Sequence, residues 1–298
     1  MQRGLRARAV RKTYRSLTRR HEVLRGVDLD LAPGEVVGLI GPNGAGKTTL
    51  MSCLLGLLHI DGGAITVDGL KNDRIEVRRL CGFLPERMNF DRGVTGRAFL
   101  RYMARLAGVG RGEVGGRAQA IMERLAIDDA ADEPLRQYSR GMLQRIGLCQ
   151  ALIHRPEFVF LDEPTSGLDP NGVLLVRDLI TEQKNGGAAV LLNSHQLSEV
   201  EKVCDRVVFL HGGVIARAET LRHVDRIVIS IRLLDGSFDA AEVERIAGAA
   251  PGGNVVIATV ETERDVADMV RRLAAAGAGV VEVRRHVTDL EGIFRGTA

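Results

Sequence analysis

Residues 36–49 read Val36-Val37-Gly38-Leu39-Ile40-Gly41-Pro42-Asn43-Gly44-Ala45-Gly46-Lys47-Thr48-Thr49. The segment from Gly41 to Thr48 fits the phosphate-binding pattern G-x-x-x-x-G-K-[ST], and its flanks suit that reading. The apolar run before it predicts a buried strand, and Thr48 to Leu58 predicts a helix after it. A glycine-rich turn that runs into a helix start aims several backbone N–H groups at one concavity, so an anion is held there for a physical reason. Gly44 and Gly46 let the backbone approach the phosphates. Lys47 supplies a point charge for the β- and γ-phosphates, and the Thr48 hydroxyl is a ligand for Mg²⁺.

Working outward, residues 5–32 read as strands, Leu5 to Val10 and His21 to Leu31, with Tyr14 on the loop between them. An aromatic there can stack on a purine ring or simply pack. Pro33-Gly34 turns the chain into the strand at 36–40. Downstream come short strands at Ala64 to Val67 and Cys81 to Leu84, the latter ending at Pro85-Glu86. From Thr95 to Ile127 the pattern becomes helical, with Thr95 as N-cap and Ala98, Phe99, Tyr102, Met103 and Leu106 on one face. This predicts a helical insertion at about residues 95–154 within an α/β core.

The core resumes at Phe158-Val159-Phe160-Leu161, a continuous apolar run as expected of a parallel strand covered on both faces. It ends in Asp162-Glu163, which places two carboxylates at the carboxyl edge of the sheet, where open α/β folds bind ligands. Asp162 is suited to holding Mg²⁺ and Glu163 to acting on an attacking water. Tyr138-Ser139-Arg140-Gly141-Met142 precedes an amphipathic helix whose open N-terminus is either a second anion site or an ordinary cap. His195 follows the strand at Ala188 to Leu192, where an imidazole either reads a γ-phosphate or is structural. Helices at Gly172 to Gln183 and Leu197 to Cys204 and a hairpin across His211-Gly212 complete the unit.

From residue 222 a second pattern begins. Ile227, Ile229, Ile231 and Leu233 alternate with polar neighbours, and helix 239–249, strand 254–260, helix 263–276 and strand 280–284 follow. Capping boxes stand at Thr262 to Asp265 and Thr288 to Glu291. The expected division is therefore residues 1–221 and a small C-terminal α/β unit at 222–298.

Bulk properties narrow the reading. The chain has 298 residues, 45% of them hydrophobic and 27% charged, with a net charge of +3. No apolar run approaches the roughly 18–20 residues that span a bilayer. Cys53, Cys81, Cys149 and Cys204 lack metal or disulfide spacing, which suits a reducing cytosol. Residues 1–20 hold Arg3, Arg6, Arg8, Arg11, Lys12, Arg15, Arg19 and Arg20 and no acid. With Tyr14 as the sole aromatic, base stacking has little to work with, and a solvated strand is favoured over a nucleic-acid surface.

In this order the motifs resemble those of the nucleotide-binding subunit of an ATP-binding cassette (ABC) transporter over about residues 5–220. GPNGAGKTT resembles Walker A, FVFLDE at 158–163 Walker B, YSRGM at 138–142 the signature, and SGLD at 166–169 the D-loop. His195 resembles the switch histidine, and Tyr14 the aromatic that stacks on adenine. The resemblance implies a P-loop NTPase fold of the ABC type: a mixed-sheet core, an antiparallel β subdomain and an inserted helical subdomain. It also implies ATP and Mg²⁺ as ligands, with Thr48, Asp162 and Glu86 toward the metal. A second copy packed head to tail would present Ser139, Arg140, Gly141, Met142 and Asp169 across the nucleotide, and an integral membrane permease would hold the pair at the cytoplasmic face.

Two departures stand out. Tyr138, Arg140 and Met142 replace the Leu, Gly and Gln of the general signature, and Glu86 stands where a glutamine is usual. YSRGM followed by LQR, the LPE tripeptide and the ending Leu290-Glu291-Gly292-Ile293-Phe294 resemble the ATPases of bacterial exporters. The rival readings are an ABC-type ATPase acting on nucleic acid or the ribosome, and a non-hydrolysing ATP sensor.

Overall fold

The computed structural model describes residues 3–15, 20–91, 93–221, 227–236, 238–260 and 262–286. These fall into two compact units, one up to Leu221 and one following it.

The first unit has two sheets and a helical layer. Strands β1 (Leu5–Arg15), β2 (Arg20–Leu31), β4 (Gly62–Val67) and β5 (Leu70–Lys71) form an antiparallel sheet in the order β2-β1-β4-β5. The other sheet, with order β10-β9-β3-β8-β7-β6, contains β3 (Val36–Ile40), β6 (Cys81–Leu84), β7 (Phe158–Asp162), β8 (Ala189–Asn193), β9 (Arg206–His211) and β10 (Val214–Thr220). Its strands β9, β3, β8, β7 and β6 are parallel, and β10 runs antiparallel to β9. All residues of β3, β7 and β8 are buried, as the unbroken apolar runs predict.

Helix α1 (Lys47–Leu54) follows β3, and its Leu50, Met51, Cys53 and Leu54 are buried in one apolar core shared by both sheets. This fixes the loop at residues 41–46 against the carboxyl edge of the parallel strands. Gly41 has no room for a side chain: a Cβ would lie 2.2 Å from the carbonyl oxygen of Leu210 on β9. Gly41→Ala should therefore lower stability by about 1–3 kcal/mol, read as a lower midpoint of thermal unfolding.

The helix after the loop is shorter than its apolar pattern predicts. It ends at Leu54 rather than Leu58, because Gly56 turns into the left-handed region at φ 66° and the N–H groups of Leu57 and Leu58 both return to the Ser52 carbonyl. Tyr14 is not on a loop. It lies in β1, paired with His21 of β2. The basic N-terminal strand is partly neutralised by its own sheet, with Arg8 on Asp30, Arg11 on Glu22 and Lys12 on Asp61.

Among the described residues, α2 (Ile75–Leu80) leads into β6, and the insertion that follows consists of α3 (Gly96–Leu106), α4 (Val114–Arg124) and α5 (Arg140–Leu152), which pack on one another. Thr95 caps α3 as expected, accepting from the Ala98 N–H. The buried face is not the one the pattern suggests: Gly96, Leu100 and Ala104 point inward, while Tyr102 and Leu106 are exposed. Close packing selects the small residue, since a Cβ on Gly96 would stand 2.1 Å from the Tyr138 hydroxyl oxygen. That hydroxyl donates to the Ala130 carbonyl at 2.7 Å.

Helix α6 (Pro170–Asn185) starts two residues earlier than the pattern suggests, with Pro170 in its first turn and Asp169 as N-cap. Helix α7 (Leu197–Val203) precedes β9. Among the described residues, no helix is long and apolar enough to cross a membrane, and all four cysteines are free.

The second unit is a three-stranded antiparallel sheet, β12-β11-β13, formed by β11 (Ile227–Leu233), β12 (Val255–Val260) and β13 (Val280–His286). Ile229, Ile231 and Leu233 of β11 pack against Val243 of α8 (Ala240–Ala247) and Leu273 of α9 (Glu263–Ala275). Both halves of the Thr262–Asp265 capping box are made. The expected box at Thr288 to Glu291 and the apolar ending Leu290 to Phe294 lie outside the described residues.

Candidate functional site

At the carboxyl edge of β3, β7 and β8 the chain leaves a cleft of about 1070 Å³, whose lining includes Tyr14 and His21, residues 41–44 and 46–49, and Glu86, Glu163 and His195. This is ample for a nucleotide. Gly46 adopts φ 103° and stands at the N-cap of α1 without a side-chain cap, so the first N–H groups of that helix are left for a ligand. Ala45, within the loop, is buried. Lys47 bends back, its Nζ donating to the carbonyls of Gly41 at 2.6 Å and Pro42 at 3.1 Å. Burial lowers the Lys47 pKa, and the carboxylates of Glu163, Asp162 and Glu86 work against that shift.

The carboxylates are placed by strand register. Parallel β7 and β8 set Asp162 beside Asn193. The Asn193 amide nitrogen donates to Asp162 Oδ1, and the Thr48 hydroxyl donates to Asp162 Oδ2 at 3.2 Å. Burial raises the Asp162 pKa, while these two donors and Lys47 lower it. The amide oxygen of Asn193 is buried without a partner. Thr48 and Asp162 thus offer oxygen donors suited to a hard cation such as Mg²⁺. Among the described residues there is no group of three His, Cys, Asp or Glu able to cage a metal. A cation here would complete its shell with phosphate oxygens and water, as Mg²⁺ commonly does.

Glu163 takes φ 53°, a left-handed backbone at a non-glycine residue. Such strain costs about 1–3 kcal/mol and persists only where surroundings enforce it. Its carboxylate meets His195 Nδ1 at 2.7 Å. Burial raises the Glu163 pKa, and the neighbouring His195 pulls it back down.

Not every residue singled out in the sequence joins this cleft. Ser139 is the N-cap of α5 and accepts from the Met142 N–H at 3.2 Å. Arg140 donates to the Ser166 hydroxyl at 2.8 Å, and Asp169 accepts from the Gly172 N–H at 3.1 Å. Ser166 lines the cleft, but Ser139, Arg140, Gly141, Met142 and Asp169 do not. One chain therefore carries a phosphate-loop cleft and, apart from it, a capped helix start.

Sequence reasoning passed over Asn193 and the role of Gln144. Each had a faint signal: Asn193 ends an otherwise apolar strand beside Asp162, and Gln144 interrupts the apolar face of α5. Gln144 is buried, and its amide donates to the carbonyls of Glu163 and Pro164.

Comparison with known proteins bears on the family and the fold. The sequence pattern of the ABC transporter family matches residues 24–166. An uncharacterised ABC transporter ATP-binding protein of Synechocystis is 41% identical over 72% of this chain and 62% of its own length, so the chain spans less than two thirds of that relative. The daunorubicin resistance ATP-binding protein DrrA3 of Streptomyces coeruleorubidus is 34% identical over 92% of this chain and 90% of its own. Among solved structures, a dimeric post-hydrolysis ATP-binding cassette with ADP and phosphate is similar with a TM-score of 0.67 and 25% identity, covering 73% of this chain and 99% of the other. A mixed-sheet core with a phosphate loop, an antiparallel sheet and a helical insertion, matched along nearly the whole of a relative, places this chain in the ABC transporter family as an ATP-binding protein.

Proposed function

We propose that this chain binds and hydrolyses ATP with Mg²⁺, and that closure of two copies head to tail around ATP drives transport, in the export direction, through a separate membrane permease at its cytoplasmic face. The observation that carries the reading is the division of groups within one chain. Lys47, Thr48, Glu163 and His195 line the cleft and Asp162 is bonded to Thr48, while the helix start at Ser139 stands outside it, where a second copy could use it. The names of the relatives support an ATP-binding role, and the drug-resistance name of DrrA3 favours export.

In this reading, Lys47 exchanges its two carbonyl partners for β- and γ-phosphate oxygens, a stronger charge-assisted contact. Tyr14 lines the cleft at 44% exposure, with Lys12 Nζ 5.9 Å from its ring centroid, and would stack on adenine. Thr48 and Asp162 would hold Mg²⁺, with Glu86 facing the same space; the bound ion neutralises phosphate charge. Glu163 polarises the attacking water, and His195, joined to Glu163, hydrogen-bonds the γ-phosphate. From the partner copy, Ser139, Arg140, Gly141 and Met142 present backbone and hydroxyl donors to the same phosphate, with Asp169 close by. In-line displacement then needs little beyond positioning and charge stabilisation.

A pH dependence follows. The working base is the ionised form of Glu163, which is lost as pH falls through its pKa. Burial raises that value, so the acid limb of kcat/KM should lie at higher pH than for an ordinary glutamate. A limb at the ordinary position would count against Glu163 as the base.

The direct test is to isolate tagged protein from detergent-solubilised membranes of its source and identify what accompanies it. An integral membrane protein is expected. Recovery of only ribosomal or nucleic-acid-bound partners would replace the transporter reading.

A further inference from the structure

Gln144 lies in α5, five residues after the capping Ser139, and is 5% exposed. Its single amide nitrogen donates to two consecutive carbonyls, those of Glu163 and Pro164, each at 3.0 Å. On the other side of the same Cα, the Glu163 N–H donates to the Asn193 carbonyl at 2.9 Å. The peptide planes flanking Glu163 are thus tied to different elements, one to β8 and one to α5. With both planes held, the left-handed backbone is held as well, and so is the direction in which the side chain leaves toward His195.

We propose that Gln144 is a positioning residue for the Glu163 carboxylate, linking it mechanically to the helix that begins at Ser139. The inference rests on the reading of Glu163 as the group that acts on water. Two further contacts join α5 to the segment after Glu163: Arg140 to Ser166 at 2.8 Å and Arg145 to Asp169 at 3.5 Å. These fasten the surroundings. Of these three side chains of α5, Gln144 is the one that bonds to the backbone of Glu163, at a carbonyl that also accepts from the Ser166 N–H at 3.1 Å. Contact between the start of α5 and a partner's nucleotide would pass along one helix to the carboxylate that serves the chain's own cleft.

A misplacement of about 1 Å at a reacting group costs on the order of 100-fold in rate. Gln144→Met keeps the length of the side chain and removes both donors. Single-turnover hydrolysis and ATP affinity are measured for this variant alone and combined with Glu163→Gln. The expected result is a kcat lowered by about 10- to 100-fold with ATP affinity unchanged, and no further loss when Glu163 is already Gln, because nothing remains to be positioned. An equal loss in both backgrounds, or no loss in either, overturns the proposal.

The reading of Glu163 fails differently: Glu163→Gln by itself would then turn over at the wild-type rate. Should the methionine variant not fold, Gln144→Asn retains the amide on a stem one methylene shorter. It is held to the same comparison, losing rate only where Glu163 is present.

Discussion

Glu163→Gln should bind ATP normally and hydrolyse it at a rate lowered by about 10²–10⁴-fold, the usual contribution of a positioned base. Glu163 lies beyond the loop at residues 41–48 and makes no bond to it, so phosphate binding keeps all of its donors. The substitution also removes a half-buried carboxylate whose ionised form is disfavoured by burial, and the amide can still bond to His195. The variant should therefore be folded, saturable with ATP and nearly inert in a phosphate-release assay. Release at the wild-type rate would remove Glu163 from the mechanism.

Lys47→Ala should weaken ATP binding by roughly 10- to 150-fold, corresponding to about 1.5–3 kcal/mol for a hydrogen bond to a charged group. Without nucleotide, Lys47 is held by the Gly41 and Pro42 carbonyls, which shape the loop while the phosphate is away. Its loss removes the only lysine lining the cleft among the described residues while leaving three nearby carboxylates, Asp162, Glu163 and Glu86. Repulsion of the triphosphate adds to the lost contact. Calorimetric titration with ATP measures the effect, and an unchanged Kd would undo the account of the loop.

Much of the frame is legible in the sequence because it depends on local order. The strand-loop-helix at 36–54, the buried strand ending in Asp162-Glu163 and the caps at Thr95 and Ser139 each need only neighbours in the chain. Features set by tertiary packing were harder to read. The inward face of α3 is decided by the Tyr138 hydroxyl against Gly96, which no periodicity reveals. The end of α1 is decided by a turn at Gly56 that brings the chain to 2.6 Å between a hypothetical Cβ there and the Asn72 carbonyl oxygen.

The same holds at the site. Lys47, Thr48, Asp162 and His195 announce themselves by motif, whereas Asn193 and Gln144 matter through partners 31 and 19 residues away. A buried amide in a helix pattern looks like any other glutamine until the strained carbonyl it serves is seen. The departures Arg140 and Glu86 also gain context from the fold: Arg140 binds Ser166 within its own chain, and Glu86 lines the cleft near Lys47 and Asp162.

The central claim is that ATP brings two copies together. Light scattering on Glu163→Gln after gel filtration with ATP and Mg²⁺, and again with ADP, tests it most directly. The account predicts a mass of twice the 32.3 kDa chain with ATP and a single chain with ADP. A protein saturated with ATP that still runs as one chain of 32.3 kDa would contradict it.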